Sequence, residues 1–286
     1  MLRRFARRDP LAILWPFSTE QKIDMLRGYG PRPHYERYLA GEHCEVWREL
    51  GALGAEIRSD RYAADALAVA YATMRRVSGN IRTIVERLRE IGYEFDIESV
   101  NRDKVINFGV ARWNLWVGAR DQQRPAPLMP PPQRTADWKR LERDAGELPI
   151  SLRAWYEIVG SVTLLGKHPV LSPGDATLLP DPLVVVPLSQ VVRAWDDSPP
   201  DVGTEEQPFA ADLAPDAVSK AHGGGRSYSI VLPAVGMDAL LRNERHGLPF
   251  ADYLRLALRW GGFPGFEAAT QRPGEIDFLT EGLLAF

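Results

Sequence analysis

The sequence predicts an α+β fold, with a mainly helical N-terminal half followed by a half in which a small sheet is flanked by helices. Three observations carry this reading. A heptad seam runs from Ala63 to Ile91, a proline-rich stretch divides the chain near its midpoint, and the second half mixes β-prone runs with amphipathic helices without regular βαβ spacing. The 286 residues suffice for one large core or two ordinary ones, and 45% hydrophobic with 26% charged positions is a globular composition.

The dividing stretch is Pro125-Ala-Pro-Leu-Met-Pro-Pro-Pro-Gln133, five prolines in eight residues with no charge. Proline fixes φ and lacks a backbone donor, so this stretch is neither helix interior nor central strand and reads as an extended, semi-rigid spacer. The domain reading is therefore a helical domain over 1–124, a linker over 125–133 and an α+β domain over 134–286.

In the first half, Ser18-Thr-Glu-Gln21 has capping-box spacing, with Gly28 and Gly30 stopping the helix. A short helix is expected through Glu42–Leu53. The seam then places Ala63, Leu67, Ala70, Met74, Val77, Ile81, Ile84, Leu88 and Ile91 at alternating four- and three-residue steps. Asp60 stands where a cap would start this helix and Gly92 where one would end it, while Ser78-Gly79-Asn80 weakens its middle. Such a seam packs within the chain or forms a homodimer. Val105–Val117 is apolar and β-prone enough for a strand pair.

In the second half, Arg134–Ala145 is a charged helix, and Leu152, Trp155, Tyr156 and Val159 have the spacing of a buried helical face ended by Gly160. Ser161–Leu165, Leu183–Val186 and Ser227–Leu232 read as strands, and Leu188–Trp195 and Phe250–Trp260 as helices.

Motifs for chemistry are incomplete. Gly160 to Lys167 approaches a phosphate loop, but five residues separate the glycines and His168 stands where Ser or Thr is needed. His222-Gly223-Gly224-Gly225 resembles an oxyanion-hole glycine run, yet no Gly-x-Ser-x-Gly elbow occurs in the chain. The single cysteine, Cys44, excludes intramolecular disulfides and Cys-pair zinc sites, and His34, His43 and Cys44 lack the spacing of a shared metal ion. No catalytic residue, metal site or cofactor is assigned. No apolar run approaches the roughly 20 residues that span a bilayer. The basic then apolar start, Met1 to Phe17, has only seven apolar-run residues, interrupted by Pro16 and without a small-residue cleavage site, and reads as a retained arm of a cytoplasmic protein.

The net charge of −3 conceals an asymmetry: residues 1–124 carry 21 Lys and Arg against 17 Asp and Glu, and residues 125–286 carry 14 against 21. In the basic half the arginines alternate with glutamates, the pattern of a solvated surface rather than of a nucleic-acid site. The acidic half attracts basic partners. Its densest segment follows Trp195, with Asp196, Asp197, Asp201, Glu205 and Glu206 among turn residues; these five are the expected partner-binding residues.

The run Leu148-Pro149-Ile-Ser-Leu-Arg-Ala-Trp-Tyr-Glu-Ile-Val-Gly160 resembles the opening of the SMI1/KNR4 family, also called the SUKH superfamily. That family has a Leu-Pro pair, an aromatic-containing helix and then a glycine, usually as Asn-Gly, where this chain has Val159-Gly160. Pro249 to Leu258 is similar to the family's closing Phe-containing helix. The resemblance covers residues 134–286. It implies an α+β domain that binds proteins, many bacterial members being immunity proteins that neutralise toxins. The expectation is a non-enzymatic, cytoplasmic protein-binding module, possessing no cofactor, whose partner is a protein such as a basic toxin. Two alternatives stay open: a hydrolase using the His222–Ser227 loop, and nucleic-acid binding by the N-terminal half.

Overall fold

A computed structural model describes residues 18–95, 127–131, 136–172, 178–222 and 224–286. Among the described residues the fold is α+β, about 50% helix and 11% strand, with small sheets flanked by helices. The predicted strand pair Val105–Val117 and the arm before Ser18 lie outside the described residues.

Helices α1 (Thr19–Met25), α2 (Pro33–Leu39) and α3 (His43–Ala52) come first. The capping box of α1 forms as its sequence predicts: Gln21 N–H donates to Ser18 Oγ at 3.2 Å and Ser18 N–H donates to Gln21 Oε1 at 2.8 Å. Helix α4 (Ala63–Glu90) is the long seam helix, 28 residues without a break at Ser78-Gly79-Asn80. Its seven inner seam residues, Leu67 through Leu88, are buried within the chain. Apart from Ala70, each of these side chains contributes about 1.5–3 kcal/mol.

The first three turns of α4 depart from a one-sided seam, because Ala64 through Met74 are buried on every face. Alanines at 64, 66, 68, 70 and 72 let α1, α2 and a later helix approach closely. Asp60 does not cap the helix; the N-cap position is Tyr62, with no side-chain cap bond. The buried Asp65 instead caps α2 from outside, its carboxylate accepting the N–H groups of His34 at 3.0 Å and Tyr35 at 2.8 Å. At the other end Tyr93 N–H donates to Leu88 O and Gly92 N–H to Arg89 O, a Schellman closure.

The remaining elements are β1 (Glu94–Phe95), β2 (Leu128–Met129), α5 (Ala136–Asp144), α6 (Ile150–Ile158), β3 (Ser161–Thr163), β4 (Gly166–Lys167), β5 (Val184–Val185), α7 (Leu188–Asp196), β6 (Ala210–Pro215), α8 (Ala217–His222), β7 (Ser227–Val231), α9 (Phe250–Arg259) and α10 (Gly274–Thr280). They give three small antiparallel sheets rather than one: β1 with β4, β2-β3-β5, and β6 with β7. In the proline-rich stretch, Leu128 and Met129 pair with Val162 and Ser161 as an edge strand, where missing proline donors cost no ladder bonds. Gly160, at φ +93°, lies so close to this strand that a Cβ there would run into the Met129 carbonyl.

Helix α4 packs along α6, and residues on both sides of 125–133 share one buried cluster in which Trp155, Tyr38, Tyr71, Tyr156 and Tyr253 are the largest fully buried side chains. Strand β6 is the chief element without a sequence signal, since Ala-Ala-Asp-Leu-Ala-Pro is poor in β-formers; pairing with β7 and packing of α7 make it a strand. No helix among the described residues is long and apolar enough to cross a membrane.

Candidate partner-binding surface

Helix α7 buries Leu188, Val191 and Val192 against β6 and α5, which turns its last residues to solvent. Asp196 ends the helix and Asp197 is its C-cap residue. The loop beyond is a closed, hydrogen-bonded turn. Ser198 Oγ donates to Ala194 O at 2.7 Å, Thr204 Oγ1 to Asp201 O at 3.1 Å, Gln207 N–H to Thr204 Oγ1 at 3.1 Å, and Gly203 N–H to Gln207 O at 2.7 Å. Gly203, at φ +98°, sits on the indole of Trp195, and that ring meets the buried Phe209 edge-on at 5.2 Å. The loop is thus anchored to the core at one aromatic side chain, and turn residues that read as irregular in sequence supply its internal bonds.

All five acidic residues expected to bind a partner are exposed. Asp196 is already paired with the guanidinium of Arg140 on α5, which also lies 3.7 Å from Asp144. Both side chains are well exposed, so this pair adds little stability. Among the described residues, Asp197, Asp201, Glu205 and Glu206 have no ion pair. Four carboxylates on one short anchored loop make a local negative field that a cationic surface would neutralise.

The hydrolase alternative depends on the His222–Ser227 loop. Its glycines follow α8, and Asp216 closes the segment, its carboxylate accepting Ser219 N–H at 2.7 Å and Arg226 N–H at 2.7 Å. A Cβ on Gly225 would collide with the Asp216 carboxylate, so packing against this carboxylate accounts for that glycine. Among the described residues no serine or cysteine side chain is hydrogen-bonded to a histidine ring. Lys167, of the near phosphate loop, is in β4 opposite Glu94.

His34, His43 and Cys44 are not brought together as ligands. The ring of His34 turns to Asp65 at 2.8 Å, His43 lies against the ring of Tyr38 and pairs with Arg76, and Cys44 is exposed. Burial, then the charges of Arg76 and Arg255, hold the His43 imidazole below its usual pKa. Among the described residues no group of three or more His, Cys, Asp or Glu side chains is arranged to hold a metal ion.

Sequence reading missed three charged clusters, because their members lie far apart in the chain. Lys22, Tyr71, Arg153 and Glu157 join α1, α4 and α6. Lys220 pairs with Asp181 at 2.5 Å, and Tyr228 donates to the same carboxylate at 2.9 Å, with burial pushing the Tyr228 phenol up. His246 bridges the buried Glu244 at 2.7 Å and the exposed Glu267 at 2.6 Å. Two of them have a partial sequence signal, the i,i+4 spacing of Arg153 and Glu157 and the Glu-x-His spacing of Glu244 and His246, whose outer partner is 21 residues further on. These clusters cross-link elements. No family model, curated protein or solved structure matches the chain.

Proposed function

We propose that the chain is a non-enzymatic, cytoplasmic protein-binding module whose residues 134–286 are SMI1/KNR4-like and whose acidic loop Asp196–Glu206 receives a basic protein, as an immunity protein receives a toxin. The observation that carries the reading is the anchored loop, with Asp197, Asp201, Glu205 and Glu206 exposed and without cationic partners among the described residues. A pre-ordered loop loses less conformational entropy on binding than a free one, and clustered like charges accelerate encounter with an oppositely charged surface. The pair Arg140–Asp196 stands at the rim of this patch, so Asp196 contributes less than the other four.

Affinity capture from the source cells tests the reading. The unaltered chain should retain a basic protein at low salt and release it near about 0.3 M salt, where screening is within a few ångströms. The variant Asp197→Asn/Asp201→Asn/Glu205→Gln/Glu206→Gln should lose that protein while keeping its far-ultraviolet circular dichroism. Retention equal to that of the unaltered chain would sink the proposal.

A further inference from the structure

The carboxylate of Asp181 meets two enclosed donors. Lys220 Nζ on α8 lies 2.5 Å from its Oδ1, and the Tyr228 hydroxyl on β7 donates to its Oδ2 at 2.9 Å. The side chains of Lys220 and Asp181 are only 1% and 8% exposed, and Nζ also lies 4.9 Å from the centroid of the Tyr228 ring. The backbone around Asp181 is pinned on both sides. Pro180 and Pro182 flank it, Gly265 N–H donates to Pro180 O at 2.9 Å, and Leu183 N–H donates to Gly262 O at 2.7 Å. Asp181 itself has φ +53°, a left-handed and strained position for a residue that precedes proline. With a C–O bond of about 1.2 Å, Nζ is at most about 3.7 Å from Cγ, next to the range of about 3–3.5 Å for a near-attack arrangement.

A buried ion pair carries a desolvation cost that neutral groups of similar shape avoid. An amide between these two side chains removes both charges and keeps the link. We propose that Lys220 and Asp181 condense in the folded chain to an isopeptide bond. The Nζ–Cγ bond forms and the Cγ–Oδ2 bond breaks. Two of the three ammonium protons leave with Oδ2 as one water molecule and the third stays on the amide nitrogen, so charge and atoms balance without an oxidant or a co-reactant. Tyr228 is the catalytic acid, because its hydroxyl sits on the oxygen that departs. Burial pushes its phenol up, which keeps it a proton donor. The Tyr253 hydroxyl is enclosed, with its ring centroid 5.7 Å from that of Tyr228, and has no hydrogen-bond partner among the described residues; it can take up the released water. The linked residues are 39 apart in sequence, so the bond closes a ring holding α7, the acidic loop and β6 and removes freedom from the unfolded chain. The inference rests on this side-chain geometry and not on what the acidic loop binds.

Intact-mass spectrometry of the full chain, followed over time at neutral pH, provides the test. The unaltered chain should become lighter than its sequence mass by one water molecule, and its tryptic digest should contain a branched peptide that joins Lys220 to Asp181. Lys220→Arg keeps a cation beside Asp181 but lacks the amine, and should hold its full sequence mass. Tyr228→Phe should form the bond about 100-fold more slowly, because the acid on the departing oxygen is gone. A folded, unaltered chain that keeps its full mass overturns the proposal. A loss of water that survives Lys220→Arg also overturns it, since the dehydration then lies at another residue. An equal rate in Tyr228→Phe removes Tyr228 from the reaction and overturns the proposed step. If Lys220→Arg does not fold, the digest of the unaltered chain decides, and a water loss without the branched peptide counts against the bond. None of these measurements involves a partner, so their failure leaves the acidic-loop reading standing.

Discussion

Arg153 Nε donates to Glu157 Oε1 at 3.0 Å one turn away on α6, with side chains only 4% and 9% exposed. The same carboxylate accepts the Tyr71 hydroxyl of α4 and lies 3.6 Å from Lys22 Nζ of α1, so one buried anion serves two buried cations from different helices. Arg153 also stacks 4.0 Å from the Trp138 ring centroid. Burial draws the Lys22 pKa down and Glu157 opposes that shift, so the charge on Lys22 depends on its partner.

Replacing Glu157 with Gln should therefore cost more than an ordinary hydrogen bond. It removes the carboxylate charge that offsets the desolvation of Arg153 and Lys22, and a loss of about 3–5 kcal/mol is expected in urea unfolding at neutral pH. A loss below about 1 kcal/mol, the range of an exposed pair, would show that water reaches the cluster.

A second prediction concerns the one weak point read in the seam helix. Gly79 is exposed on α4, with helical backbone and nothing within 4 Å of a Cβ placed there. Gly79→Ala should stabilise the chain by about 0.5–1 kcal/mol, measured by the same unfolding curve, because alanine loses less backbone entropy on entering a helix. No gain, or a loss, would mean that the glycine serves a contact outside the described residues.

That helix also shows what the sequence reveals and where it stops. The heptad spacing locates α4 and its buried residues, since local periodicity reports the face that leaves water. Its continuity through Ser78-Gly79-Asn80 is not legible, because Asn80 is satisfied by Leu284, 204 residues away. The same holds for Asp65, which caps α2 rather than its own helix, and for β6, whose residues favour no strand until β7 lies beside them. In the acidic segment the charges are evident from composition. The anchoring of that loop rests on Gly203 meeting Trp195, an approach that composition does not encode.

Gly203 permits a prediction that separates geometry from charge. Alanine there would meet the Trp195 ring at 2.6 Å and would need an unfavourable φ of +98°. Gly203→Ala should lift the loop, change Trp195 fluorescence and cost about 1–3 kcal/mol. With every carboxylate retained, capture of a basic partner should still weaken; undiminished capture would show that charge alone suffices.

Asp238 contributes a pH dependence of stability. Its enclosed carboxyl accepts Ser151 Oγ–H at 2.6 Å, Ala239 N–H at 2.9 Å and Ala251 N–H at 2.8 Å, which caps α9 from outside that helix. Burial is the dominant effect and pushes its pKa from 3.8 up to about 6, against the lowering by these hydrogen bonds. Between those values the unfolded chain has released this proton while the folded chain retains it, so the folded state binds more protons and stability falls as pH rises. The contribution is fully present below about pH 4 and lost above about pH 6, a change of at most about 3 kcal/mol from a shift of about two units. Urea unfolding at closely spaced pH values should show this decline superimposed on the other carboxylates. Asp238→Asn should remove it at the expense of the bond from Ala251 N–H, lowering stability by about 1–3 kcal/mol at low pH. An unaltered decline in that variant would assign the titration to another group.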